Sequence, residues 1–172
     1  MSFQPISAAE FQNSVFQTIG KEWMLITAEQ QKDGQSLANT MTASWGGLGY
    51  LWNKNVAFAF IRPQRYTKEF VDHSDFFSLC FFGGERMEEM RYLGTVSGKE
   101  ENKIQKSGLT LTHLEGIPCF EEATAVLICR KLYRQPMQEN CFLDKSIVET
   151  SYPQKDFHDV YVGEVEKIFV RS

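Results

Sequence analysis

The sequence predicts a mainly β domain built from antiparallel strands with peripheral helices, as a barrel or an α+β arrangement. Three observations carry that expectation. Segments of strand character outnumber helical ones, and the helices fall between strands without βαβ regularity. Fourteen Phe favour strands and a strongly aromatic core. No G-x-G-x-x-G opens a helix after a strand and no Walker loop is present, which argues against a doubly wound nucleotide-binding sheet.

Taken in order, "ISAAEFQNSVFQTIG" predicts an N-terminal helix, with Ser7 and Glu10 as a capping box and Ile6 with Phe11 as a hydrophobic staple. Phe11, Val15, Phe16 and Ile19 share one face of it, and Gly20 is a natural stop. "EWMLITAE" and "SLANTMTA" read as strands joined through the Asp33-Gly34 turn signal, hence a hairpin. "SWGGLGYLW" reads as a strand end running into a loop. "NVAFAFI" is apolar throughout, as in a strand buried on both faces. "YTKEFVDHS" predicts a short helix and "DFFSLCFF" a strand. "GERMEEMRYLGTV" is helical, with Met87, Met90 and Leu93 on one side. A short polar helix ends at Gly108, and "ATAVLICRKLYRQPM" and "DVYVGEVEKIFV" are long strands, the last interrupted at Gly163.

With 172 residues and no repeat or linker, one domain over 1–172 is expected. A chain of this length buries roughly 70% of its unfolded surface and needs no disulfide or metal to fold. Hydrophobic residues at 42% and charged residues at 23% describe a globular chain and exclude extended disorder. A net charge of −4 argues against a nucleic-acid partner. Cys80, Cys119, Cys129 and Cys141 form no CxxC pair and are expected as reduced thiols, mostly packed as small apolar residues. The N-terminus lacks the pattern of a signal peptide, no apolar run approaches membrane-spanning length, and a cytoplasmic location without membrane contact is expected.

Several local patterns suggest chemistry. "NTMTASWGG" gathers Thr40, Thr42 and Ser44 with Trp45 and exposed backbone, which suits neither a core strand nor a solvent loop. In "IRPQRYT", Arg62 and Arg65 precede a helix start at Tyr66-Thr67. Guanidiniums beside a helix N-terminus suit an anion; the plainer alternative is a solvated turn with Thr67 as the cap. In "LGTVSGKEENK", Ser97 and Glu100 fit a capping box, and Lys103 is free to reach the same anion. His158, at the entry to the last strand, suits proton transfer, an anionic ligand or a structural hydrogen bond. No metal-ligand spacing is present.

The blocks "NTMTASW", "RPQRYT", "FFSLCFF", "LGTVSGKEENK" and "DFHDVYVGEV", in that order over residues 39 to 165, resemble the flavin reductase-like family, the FMN-binding split barrels that include flavoredoxin. The resemblance implies a six-stranded antiparallel split β-barrel with peripheral helices, and a homodimer holding FMN near the subunit interface. Carried over by position, Asn39, Thr40, Met41, Thr42, Ser44 and Trp45 would line the isoalloxazine and ribityl side. Thr67 and Lys103 would hold the phosphate, with Arg62, Arg65, Tyr66 and Ser97 as neighbours. His158 would sit near the flavin or the nicotinamide of an incoming NAD(P)H. Many relatives read Gly-Asp-His there, whereas this chain reads Asp156-Phe157-His158. The function implied is an FMN oxidoreductase taking electrons from NAD(P)H or a reduced protein donor and passing them to a small-molecule or protein acceptor. Its alternatives are a non-enzymatic FMN electron carrier and a reductase that releases its flavin. "SWGGLGYLW" resembles the flavoredoxin-like branch, and Trp52 is expected at the dimer interface.

Overall fold

The computed structural model describes residues 2–32 and 34–171. The expected hairpin is present: β2 (Met24–Lys32) pairs antiparallel with β3 (Gln35–Ala43), from Met24↔Ala43 to Lys32↔Gln35. Of its predicted turn, Asp33 lies outside the described residues. The expected strands also form as β5 (Lys54–Ile61), β6 (Phe76–Phe81), β9 (Ala125–Pro136) and β10 (Asp159–Arg171). The sheet runs β3-β2-β6-β9-β10-β5 and ends on β4 (Gly46–Leu51), while β1 (Phe3–Ile6) adds to β10. The sheet therefore has eight strands where six were expected, and its pairings are antiparallel. A separate hairpin of β7 (Leu111–Leu114) and β8 (Ile117–Phe120) packs outside it.

Strand β4 forms where the sequence predicts a strand end running into a loop, because its glycines hide β propensity. Gly46 is tightly placed: a Cβ there would lie 2.9 Å from the Phe58 carbonyl oxygen and 2.8 Å from Met24 Cε. The hairpin to β5 closes over Trp52-Asn53, with Leu51 paired to Lys54 and φ of 53° and 57° at the two turn residues. Positive φ at both central positions is the type I′ requirement; Asn meets it easily and Trp does not.

The N-terminal helix is shorter than expected. Residues 3–6 are drawn into pairing with the end of β10, Phe3 facing Arg171 and Ile6 facing Ile168. Ser7 N and Oγ do donate to Glu10 Oε2, at 2.8 and 2.7 Å, but this closes a turn, and α1 spans only Val15–Gly20. Phe16 is consequently 91% exposed, while Phe11 packs 6.5 Å from the Phe81 ring. Helices α2 (Tyr66–His73) and α3 (Met87–Thr95) form as read, and Met90 and Leu93 are fully buried. Helix α4 (Lys103–Ser107) is capped by Asn102, whose side chain accepts from Gln105 N; Ser97 and Glu100 close a turn before it and do not cap it.

Two apolar cores explain the long hydrophobic runs. Phe77, Leu79 and Phe81 of β6 point to an inner core, and Cys80 with Phe82 points to an outer one under α3 and the β7–β8 hairpin. Strands β2 and β9 alternate in the same way. Met41 and Ala43 of β3 share the inner core with Ala57, Ala59 and Ile61 of β5, although four strands separate these two in the sheet order. The sheet thus curls around that core into a barrel-like shape. Cys80, Cys119 and Cys129 are buried thiols, Cys141 is exposed, and all four are free. Among the described residues no helix is long and apolar enough to cross a membrane.

Strand β10 carries a tight close approach to the inner core. Its register with β9 shifts between Val162 and Gly163, and a Cβ at Gly163 would lie 2.8 Å from Phe77 Cζ and 2.9 Å from Cys129 Cβ. Gly163→Ala therefore overpacks the inner core and should lower stability by about 1–3 kcal/mol. The check is urea denaturation of the two proteins; equal midpoints would mean that the ring and strand yield freely.

Candidate functional site

Three strand ends and one helix start meet at one edge of the barrel. In the antiparallel β5–β10 pair, Asp159 faces Ile61, so Arg62 leaves β5 where His158 enters β10. Helix α2 begins four residues after Arg62, and its Lys68 lies between Asp72 and Asp159, at 2.7 and 3.0 Å. Tyr161 donates to Asp72 at 2.6 Å, which ties the same helix to β10. These bonds hold the first turn of α2 against the strand ends.

Two cavities open there and share Met41, Arg62 and Arg65. The first, of about 360 Å³, is lined by Tyr66 and Thr67 at the start of α2, by Thr95 to Gly98, and by Lys103. The second, of about 200 Å³, is lined by Thr42, Ser44, Trp45, Phe60 and His158. Trp45, Ser44 and Phe60 also border a wider apolar recess with Val15, Ile19 and Met137. Trp45 therefore stands between a polar trough and an apolar hollow, as an amphipathic ring can.

Arg65 and Lys103 dominate the first cavity. Arg65 Nη1 donates to Gly94 O at 2.6 Å, and Lys103 Nζ donates to Leu93 O at 2.8 Å and Val96 O at 3.0 Å. Both cations thus satisfy carbonyls at the C-terminus of α3, a favourable place for positive charge. Neither has a carboxylate partner among the described residues, although Lys103 is only 4% exposed. Burial and the neighbouring Arg65 guanidinium push the Lys103 ammonium down to about 8. Burial, and next Arg62, lower Arg65 as well. Lys103 has three donors and uses two on carbonyls. The arrangement is an unneutralised cationic corner beside a helix N-terminus, and its donor set fits a phosphate.

Arg62 differs. It pairs with Asp156 and donates to Ser151 O at 2.8 Å, and Gln64 donates to the same Asp156 carboxylate. Its charge is answered within the protein. Thr67 does not cap α2: its Oγ1 accepts from Asn39 Nδ2 at 2.9 Å, and the residue before the helix, Arg65, makes no side-chain cap. Ser97 Oγ accepts from Lys99 N at 3.2 Å and borders the cavity.

Of the residues singled out in "NTMTASW", Met41, Thr42, Ser44 and Trp45 line the trough. Asn39 is buried beneath it and reaches it through Thr67. Thr40 is not brought to either cavity; its hydroxyl lies 2.9 Å from Thr27 Oγ1 and donates to Ile26 O in the sheet interior. Thr42 spends its hydroxyl on Met90 O of α3.

His158 is 7% exposed, its ring 5.0 Å from the Trp45 ring. Burial, and secondarily the Arg62 charge, push its pKa down to about 4, so the ring is neutral near pH 7. Sequence reasoning overlooked the residue that holds it: Tyr152, with Oη 2.8 Å from His158 Nδ1. Tyr152 stacks among Phe142, Phe157 and Trp45 in the stretch between β9 and β10. The only sequence signal for it was an aromatic six residues ahead of the His.

Folded His158 binds its proton more weakly than the unfolded ring. Between pH 6.5 and about 4 the unfolded state therefore holds more protons, and stability falls as the pH drops through that window. Urea midpoints across it should decline in the wild type and decline less in His158→Gln; parallel declines would place the effect elsewhere.

Comparison with known families and structures gives a consistent result. The flavin reductase like domain matches residues 16–172. No curated protein matches the chain. The FMN-binding domain of a flavin reductase-like enzyme from Shewanella baltica superposes with a TM-score of 0.67 at 16% identity, covering 98% of this chain and 77% of that one. Flavoredoxin from Methanosarcina acetivorans gives 0.63 at 22% identity, over 88% and 69%. An NADH:FAD oxidoreductase from Streptomyces globisporus gives 0.61 at 13% identity, over 87% and 75%.

Proposed function

The chain belongs to the flavin reductase-like domain family, and on that premise we propose that it is an FMN-binding oxidoreductase. It takes electrons from NAD(P)H or a reduced protein donor and passes them to a second acceptor, working as a homodimer in the cytoplasm. The observation that carries the reading is the cationic corner of Arg65 and Lys103, which faces the cavity with no carboxylate among the described residues to answer it. The FMN-binding description of the Shewanella domain and the NADH:FAD activity named for the Streptomyces protein support it.

Bound flavin supplies the electron transfer itself, and the protein supplies binding, orientation and electrostatics. Arg65, Lys103, Thr67 and Ser97 receive the phosphate. Met41, Thr42, Ser44 and Trp45 offer backbone and side-chain surface to the ring and its polar edge. The neutral His158 offers a hydrogen bond without adding charge. Asp156 favours a reduced protein as donor, because it occupies Arg62 and leaves that guanidinium less free for a dinucleotide pyrophosphate.

Purified protein incubated with FMN and desalted should keep the visible flavin band; a colourless protein that also fails to quench FMN fluorescence overturns the reading. Retention through desalting separates bound cofactor from released substrate. Anaerobic addition of NADH or NADPH then bleaches the band within seconds if the dinucleotide is the donor, and leaves it intact if a reduced protein is required.

Lys103→Ala should weaken FMN binding about 10- to 100-fold, the loss of one charge-assisted contact of about 1.5–3 kcal/mol. A fluorescence titration giving wild-type affinity would reduce Lys103 to a helix cap. Because free Lys103 loses its proton above about pH 8, binding there requires proton uptake. The dissociation constant should rise with pH above that point, by up to about tenfold per unit, in the wild type only.

A further inference from the structure

We propose that Tyr152 is a positioning residue that fixes the tautomer of His158, keeping Nδ1 as an acceptor and presenting Nε2–H to the cavity as a neutral donor for a carbonyl-type oxygen of the ligand. The ligand part rests on the flavin reading above; the tautomer part stands on the protein alone.

The geometry is specific. Tyr152 is 3% exposed, and its Oη lies 2.8 Å from His158 Nδ1. The other group in reach is Met137 Sδ at 3.6 Å, a weak acceptor that carries no proton. The phenol has one proton to give, and the imidazole lone pair is both nearer and far more basic than the thioether. Donation from Oη to Nδ1 places the ring proton on Nε2. No other hydrogen bond engages the ring among the described residues, and His158 borders the cavity that holds Trp45.

The phenol cannot drift from this position. Phe142 and Phe157 pack on its ring at centroid distances of 5.7 and 5.0 Å, and the Arg62 guanidinium lies over it at 5.2 Å. Arg62 also holds Ser151 O and Asp156, on either side of Tyr152 in sequence. The charges around the ring are Arg62, Arg65, Asp156 and Asp159. Asp156 is committed to Arg62 and Gln64, and Asp159 to Lys68 and Arg134, so among the described residues no carboxylate is left to draw a second proton onto the imidazole. A neutral donor matches an uncharged oxygen acceptor, and it leaves the anion to the corner of Arg65 and Lys103.

Nitrogen-15 NMR of histidine-labelled protein, with His158 assigned from a His158→Gln spectrum, decides the matter. In the free wild type, Nδ1 should be pyridine-like and Nε2 pyrrole-like at neutral pH. In Tyr152→Phe the Nδ1 resonance should move, and the His158 titration midpoint should rise by about one pH unit, the worth of one lost hydrogen bond to the neutral form. A pyrrole-like Nδ1 in the wild type overturns the proposal, and the wild-type spectrum gives that answer even if the variant does not fold. So does a Tyr152→Phe spectrum with both nitrogens and the midpoint unchanged. FMN added to the wild type should shift Nε2 and spare Nδ1. FMN that binds by fluorescence quenching yet leaves Nε2 in place overturns the ligand part. Failure of FMN to bind overturns the cofactor reading and the ligand part together, and the free-protein spectra still decide the role of Tyr152.

Discussion

Strands β2, β6 and β9 send alternate side chains into two apolar cores, so no position along their middle is left for a polar ligand. Satisfying both cores fixes where the protein can do chemistry. Polar side chains that must meet a ligand are confined to places where strands stop, because only there can backbone and side-chain groups leave the sheet without stranding a buried partner. The C-terminal ends of β3 and β5, the start of β10 and the first turn of α2 are such places. Antiparallel pairing brings the β5 end and the β10 start together. Thr40 illustrates the rule from the other side: a hydroxyl one step too far into the sheet is satisfied by Thr27 and Ile26 and is lost to the cavity.

Charge is graded along the trough that results. At one end Arg65 and Lys103 answer, among the described residues, only carbonyls, which are partial charges, so a net positive potential remains for an anion. In the middle Arg62 is matched by Asp156. At the other end His158 is neutral and sits among aromatic rings. An elongated ligand with an anionic tail and a flat uncharged head has only one favourable direction in such a field. That polarity comes from which cations are paired, and the number of cations alone would not provide it.

This distinction also sets what the sequence could reveal. Periodicity exposed the strands with alternating or continuous apolar runs, and α2 and α3, because burial acts locally on neighbouring residues. It failed for β4, where Gly46, Gly47 and Gly49 carry no side chain to show alternation, and for the N-terminal segment, where pairing with β10 overrode a sound capping box. At the site, residue types and order identified Arg65, Thr67 and Lys103 as neighbours of a cavity. They could not show that Asn39 holds Thr67 or that Asp156 neutralises Arg62. Those contacts join residues 28 and 94 positions apart, and only the fold makes them adjacent. Tyr152 is only six positions from His158, and it was hidden because no periodic pattern marks a side-chain bond across an irregular stretch.

The Asp156-Phe157-His158 tripeptide acquires a physical role in this setting. Asp156 anchors Arg62 and Gln64, and so braces the turn between α5 (Ser146–Ser151) and β10. Phe157 packs on Tyr152 and Phe142 at 5.0 and 5.5 Å, filling the space beside the phenol. A glycine at 156 would remove the carboxylate, free Arg62 and loosen the segment that carries Tyr152. An aspartate at 157 would place a charge beside the Phe142 and Tyr152 rings. Asp156 and Phe157 therefore act together to make the approach to His158 braced and aromatic. The two residues before His158 brace the segment that holds its neutral ring.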